Sequence, residues 1–292
     1  MDLSDTDWAA HRRYLFAVAY RMLGSATDAE DAVQDAYLRA STAGRDDVVD
    51  LRAYLTTIVA RLCLDQLKSA RVRRESYVGT WLPEPLVNYD DSDVADRIEV
   101  AEQLRLPAML MLEQLSPAER VAFVLHDGFG MDYERLGLVL SRTPTACRQL
   151  VSRARRGLAG EVKSPKRSEP AEVERVIAAV LDASRTGDLE ALVKLLHPDI
   201  VLRSDGGGVV RAARRPVVGA AAVARLLLGL TQLYPDLTPL PATVNGAPGA
   251  VLADGGPMTG AVAYEVGDGQ VLSIDLVLAP DKLAWSRAQE TV

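Results

Sequence analysis

The chain has 292 residues, 48% hydrophobic and 25% charged, which excludes a disordered polymer and leaves room for two or three globular domains. Its formal charge of −7 excludes a uniformly basic nucleic-acid coat, so any DNA contact must come from local basic clusters. Two distant cysteines, Cys63 and Cys147, exclude a disulfide framework or a zinc site, and a reducing compartment fits. The acidic start Met1–Asp5 lacks a signal-peptide core, and apolar stretches such as Val176–Leu181 are too short to span a bilayer. A soluble, cytoplasmic protein without membrane association is the expectation.

From Asp7 to Ser76 the pattern is helical, with Tyr14, Leu15, Val18 and Met22 at helical spacing and Gly24-Ser25 as punctuation. An acidic helix follows from Thr27 to Arg39, and Thr27 with Glu30 forms a capping-box pattern. At 3.6 residues per turn Ala29, Val33, Ala36 and Tyr37 share one side; Glu30, Asp31, Gln34 and Asp35 share the other. A carboxylate face suits a basic protein better than DNA, which makes Asp28, Glu30, Asp31, Gln34 and Asp35 candidate partner-binding residues. A solvated amphipathic helix is the alternative. After a polar turn from Gly44 to Asp50, a longer helix carries Leu51, Leu55, Ile58 and Leu62 into a cationic end of Lys68, Arg71, Arg73 and Arg74. Arg61 and Lys68 lie near one face with Asp65 between them as an intrahelical partner.

Two prolines in Trp81-Leu82-Pro83-Glu84-Pro85 forbid a helix interior, and Asp90-Asp91-Ser92-Asp93 reads as an exposed linker. Helical pattern returns from about Val94. Ser116-Pro117-Ala118-Glu119 combines an N-cap, a first-turn proline and a capping-box acid. Asp132 caps a helix with Tyr133, Leu136 and Leu140, and Thr143-Pro144 caps another running to Leu158. The short break Ser141-Arg142-Thr143 between them suits a helix-turn-helix. Its second helix holds Arg142, Arg148, Arg153, Arg155 and Arg156 with no acid between Glu134 and Glu161. Thr143, Thr145, Arg148, Gln149 and Ser152 sit where such a helix meets base edges, and arginine and glutamine offer bidentate geometry there. Arg153, Arg155 and Arg156 are placed as phosphate clamps. Cys147 on this helix reads as an inert helix cysteine rather than a redox switch.

A polar, proline-punctuated stretch from Gly160 to Pro170 marks a domain linker. Beyond it the helical runs Ala171–Ser184 and Asp188–Leu196, divided by Gly187, give way to short β-rich segments with glycine turns. In Val271–Leu278, Leu272, Ile274, Leu276 and Leu278 share one face, and Ser273 and Asp275 the other. His197, Asp199, Asp205 and Asp275 are available as general bases. His197-Pro198-Asp199 is more simply a helix-to-strand turn, and Asp205 with three glycines a tight turn, so no catalytic residue is assigned. A small-molecule pocket without chemistry stays open.

These motifs, in this order over roughly residues 7–160, resemble the small extracytoplasmic-function sigma factors of the sigma-70 family. The resemblance implies that Asp28–Arg39 docks on the β′ clamp helices of core RNA polymerase. It also implies that Leu55–Arg74 opens and reads the −10 element, and that Leu115–Leu158 reads the −35 element and rests on the β flap. Arg61 stands where many relatives carry asparagine. Trp81–Pro85, Asp205-Gly206-Gly207-Gly208 and Asp281-Lys282-Leu283 are similar to signatures of a subgroup with a C-terminal SnoaL-like extension of the NTF2-like cone fold. Residue 279 is alanine where the tail motif commonly has asparagine.

The implied architecture is multidomain: two all-α sigma domains, then an α+β cone. Region two spans residues 1–80, a linker 81–99, region four 100–160, a second linker 161–170 and the extension 171–292. The implied function is promoter recognition without catalysis, cofactor or metal. The extension acts on the sigma domains by intramolecular contact and has a possible small-molecule ligand. The alternatives are a stand-alone helix-turn-helix regulator and a transcription module fused to an enzyme.

Overall fold

The computed structural model describes residues 5–42, 48, 50–75, 77–88, 105–158 and 168–289, without the side chains of 5–7 and 70–75. The Asp90–Asp93 stretch, most of the Gly160–Pro170 stretch and the side chains of Arg71, Arg73 and Arg74 therefore lie outside the described residues. The chain divides into two compact units, one of residues 1–76 and 108–162, the other of 77–107 and 163–292.

In the first unit, α1 (Asp5–Leu23), α2 (Ala26–Thr42) and α3 (Leu51–Glu75) pack together through Leu15, Val18, Tyr20 and Met22, the alanines of α2, and Leu55, Val59 and Cys63. The small side chains Ala26, Ala29, Ala32, Ala36 and Ala40 give α2 an apolar face. Its cap differs from the sequence expectation. Because α2 already begins at Ala26, Ser25 and not Thr27 is the capping residue: its Oγ accepts from the Asp28 N–H at 3.0 Å, and Glu30 pairs with Arg12. Asp50 caps α3 by accepting from the Ala53 N–H at 3.0 Å.

The next helices are α4 (Leu106–Leu112), α5 (Pro117–Phe123), α6 (Tyr133–Leu140) and α7 (Pro144–Leu158). Ser116 and Glu119 close a full capping box on α5, and Asp132 caps α6 by accepting from the Arg135 N–H at 2.7 Å. Between α6 and α7 the chain turns at Ser141, whose φ is 53°, and Thr143 Oγ1 then accepts from the Ala146 N–H at 3.2 Å. The turn is tight enough that a Cβ on Gly137 would lie 2.7 Å from the Arg142 carbonyl oxygen. Cys147, Leu150, Val151, Ala154 and Leu158 form the buried seam of α7, leaving its basic side outward.

The second unit begins with an extended strap, residues 77–86, that runs into β1 (Val87–Asn88). Helices α8 (Pro170–Thr186) and α9 (Leu189–Leu195) precede β2 (Leu196–Asp205) and β3 (Val217–Val218). After α10 (Ala220–Leu233) come β4 (Thr238–Val244), β5 (Ala247–Ala253), β6 (Gly260–Gly267) and β7 (Gln270–Val277), then α11 (Pro280–Gln289). The strands form one sheet in the order β1-β4-β5-β6-β7-β2-β3, in which the β2–β7 pair is parallel and the other pairs antiparallel. Helices α8 to α10 bury Val176, Ile177, Val180, Leu192 and Val223 with Ile200, Leu202, Tyr264, Ile274 and Leu276 of the sheet. This is the α+β arrangement expected of the extension. His197-Pro198-Asp199 falls in the irregular start of β2, before the pairing with β7 settles into register at Val201. Ser273 and Asp275 were expected opposite the apolar face; they are opposite it, and they too are buried.

The Gly137→Ala substitution sets a Cβ against backbone that cannot withdraw without opening the α6–α7 turn. We expect a destabilisation of about 1–3 kcal/mol, read as a lower urea midpoint followed by helical circular dichroism.

Candidate functional site

Three surfaces carry the residues of interest. On α2, Asp31, Gln34 and Asp35 are exposed, joined by Leu38, whereas Asp28 is half-buried and Glu30 is engaged by Arg12. The outward face is thus a strip of carboxylate, amide and aliphatic groups, on which three of the five candidate partner-binding residues are exposed. Across the unit, Arg61 of α3 is exposed yet donates through Nη2 to the Leu138 carbonyl of α6 at 2.7 Å. Arg135 of α6 pairs with the α3 cap Asp50 at 3.1 Å. Lys68 holds Asp65 at 2.8 Å, the intrahelical pair the spacing predicts. Arg120, almost wholly buried, donates to the Met22 carbonyl at 3.1 Å and to Glu113 at 2.7 Å.

The second surface is α7. Thr143, Thr145, Arg148, Gln149, Ser152, Arg153, Arg155 and Arg156 are all exposed. Thr145, Arg148, Gln149, Ser152, Arg153 and Arg156 line one open concavity of about 430 Å³. The Arg148 guanidinium lies 4.9 Å from the Tyr133 ring centroid, and Tyr133 stacks on His126 at 4.2 Å. Arg155 makes a bidentate pair with Asp127 at 2.7 and 2.9 Å, and Arg153 stands 3.6 Å from Glu119. Cys147 is buried beneath, and burial pushes its thiol up, away from the thiolate a redox switch needs.

The third is a buried cluster in the second unit that unites the three sequence signatures. Asp205, at the end of β2, accepts from four donors: the Tyr77 hydroxyl at 2.7 Å, the Gly207 N–H at 2.9 Å, the Leu82 N–H at 2.8 Å and Lys282 Nζ at 2.6 Å. Lys282 also donates to the Leu82 carbonyl at 2.5 Å and sits over the Trp81 and Tyr77 rings at 4.3 and 4.8 Å. Further along, Ser286 Oγ donates to the Pro85 carbonyl at 2.6 Å and accepts from the Val87 N–H at 3.3 Å; Asn245 Oδ1 accepts from the Leu86 N–H at 3.1 Å. The glycine turn is needed because Gly207 has φ 64° and a Cβ there would lie 3.0 Å from the Ala279 Cβ. Residue 279 acts through its backbone, its N–H donating to the Asp205 carbonyl at 3.0 Å and its carbonyl accepting from the Lys282 N–H at 3.1 Å, so alanine in place of asparagine leaves those bonds intact.

The signatures identified Trp81–Pro85, Asp205–Gly208 and Asp281–Leu283; sequence reasoning missed Tyr77, Asn245 and Ser286 because nothing in their spacing ties them to residues 120 or more positions away. Of the four candidate bases, Asp205 is consumed in this cluster. Asp275 is held by Arg203 at 2.6 and 3.3 Å on the sheet face away from the helices. Burial raises its carboxyl and Arg203 counters the rise. His197 Nδ1 accepts from the Asp199 N–H at 3.1 Å. Among the described residues no cluster of three or more His, Cys, Asp or Glu has the arrangement of a metal site, and no helix is long and apolar enough to cross a membrane.

Comparison with known proteins adds the following. The Sigma-70 region 2 family profile matches residues 8–73, and the Sigma-70 region 4 profile matches residues 105–158. The chain is 40% identical to the ECF RNA polymerase sigma factor SigJ of Mycobacterium tuberculosis, over 98% of this chain and 95% of that protein. It is 34% identical to a probable ECF RNA polymerase sigma factor, SigI, of the same species, over 97% and 95%. The crystal structure of M. tuberculosis SigJ aligns with a TM-score of 0.77 at 39% identity, covering 97% of this chain and 99% of that one.

The Lys282→Met substitution leaves the Asp205 carboxylate buried without its counter-charge. Losing one partner of such a pair costs roughly 3–5 kcal/mol, so we expect a lower thermal midpoint and new proteolytic cleavage within residues 77–88; unchanged protection of the strap would contradict its anchoring by Lys282.

Proposed function

The chain belongs to the extracytoplasmic function sigma factors of RNA polymerase, and we propose a division of labour among its surfaces on that basis. The α2 strip of Asp31, Gln34, Asp35 and Leu38 docks on the β′ clamp helices of core polymerase. There the carboxylates meet basic side chains and Leu38, 54% exposed, supplies apolar contact. Helix α7 enters the major groove at the −35 element. Arg148 and Gln149 read base edges, Thr145 and Ser152 flank them, and Arg153 and Arg156 hold phosphates. Arg155 reaches DNA only by leaving Asp127. The observation that carries this reading is the convergence of the α7 polar residues on one open concavity above a wholly apolar seam.

The Arg61–Leu138 and Asp50–Arg135 contacts support a closed state of the first unit. By their names the −10 and −35 elements lie 25 base pairs apart, about 85 Å of duplex at roughly 3.4 Å per base pair. A compact unit of about 130 residues has a radius of gyration near 14 Å. The α3–α6 contact must therefore break before α3 and α7 engage both elements, and Arg61 is freed for DNA by the same event. The strap ties the chain between α3 and α4 to Asp205 and Lys282, so the SnoaL-like tail bears on how readily the sigma regions separate. We assign the tail this regulatory role, in support of which two of its candidate bases, Asp205 and Asp275, are both committed to cations. Contact of region four with the β flap belongs to the same proposal.

Run-off transcription with core polymerase is the test. The full-length chain should confer a discrete start site that core enzyme alone lacks. The Asp31→Lys/Asp35→Lys double variant should lose core binding by at least about tenfold, equivalent to about 1.4 kcal/mol, with helix content unchanged. Retained binding would remove the docking assignment.

A further inference from the structure

The loop between β2 and β3 carries Arg211, Arg214 and Arg215, all exposed, and none of them has a hydrogen bond or ion pair with a described residue. Free guanidiniums on a chain of net charge −7 stand out, and the backbone that bears them is held in place. The Val209 and Val210 N–H groups both donate to the Gly206 carbonyl, at 3.0 and 2.8 Å. A Cβ on Gly206 would lie 2.1 Å from the Val210 carbonyl oxygen, so the chain folds back on itself there. Between Arg211 and Arg214, the Ala213 N–H donates to the buried Ser204 hydroxyl at 2.8 Å. On the other flank, Gly79 of the strap packs near the Arg214 backbone, its Cβ position 3.8 Å from that Cα.

We propose that this arginine loop is a further nucleic-acid contact, gripping phosphates of duplex DNA independently of sequence. Three features bear on a phosphodiester backbone as the occupant. The cations are arginines, whose planar fork matches phosphate oxygens in bidentate fashion. No aromatic residue occurs from Gly206 to Pro216 to serve as a buried anchor, and the apolar groups beside the arginines are the exposed Val209 and Val210. The pinned backbone confines the ordering cost on binding to the side chains themselves. The contact would lie outside both sigma regions and would add affinity without adding base preference.

The test uses the full-length chain, without polymerase, on a fluorescent mixed-sequence duplex, so its outcome does not depend on promoter initiation. Binding is followed by anisotropy across a salt series for the parent, the R211A/R214A/R215A variant and the R211K/R214K/R215K variant. Each phosphate contact contributes about 0.9 to the slope of log affinity against log salt. The alanine variant should therefore lose about 2–3 from the slope while the lysine variant keeps it. An alanine variant with the parent slope overturns the proposal, as does an equal loss in the lysine variant, which would mark a folding effect. Absent duplex binding by the parent at low salt overturns it too.

Discussion

A single carboxylate organises the second unit. Asp205 has no exposed side-chain surface and receives four donors, from the strap, its own turn and α11. A charge removed from water is tolerable only when its lone pairs are filled and a counter-charge is close. Both conditions are met here, and Lys282 is satisfied in turn by the Leu82 carbonyl and two aromatic faces. Remove any of these groups and the others are stranded in an apolar setting. That interdependence makes the strap part of the α+β unit and not a passive tether.

The first unit relies on different means. Its helices are joined by apolar seams, and α3 also meets α6 through polar, partly exposed contacts. Exposed ion pairs contribute about 0–1 kcal/mol each, whereas the buried seam of each helix contributes far more. Under the proposed function these polar contacts open along DNA, together with the edge-to-face contact of the Tyr14 and Phe129 rings at 5.4 Å. Arg120 is the exception, a buried guanidinium that reaches the α1 carbonyl of Met22. It sets a firmer link within the unit than the surface pairs do.

Much of this was legible in the chain. The capping boxes and the apolar period of α5, α6 and α7 announced the helix-turn-helix because caps and seams are local properties. The cap of α2 was misread by two residues, since Thr27 and Ser25 offer the same chemistry and only the end of α1 decides between them. The pairing of Glu30 was hidden for a similar reason: Arg12 is close to it in space but on another helix. Ser273 and Asp275 alternate with leucines as a half-solvated strand would, yet Arg203 from the neighbouring strand lets the carboxylate be buried. The Asp205 signature was visible as three motifs, but its geometry was not, because no local period links residue 82 to residue 282.

That separation has a consequence for how the protein is made. Lys282 enters the chain 200 residues after Leu82, whose carbonyl it binds. At about 5–20 residues per second, synthesis takes roughly 10–40 s to cover that distance. Throughout that interval the nascent polypeptide carries complete N-terminal helices with the strap still lacking its lysine clasp. Fastening thus waits on the synthesis of α11, and a translation pause before that helix would lengthen the life of the unclasped form.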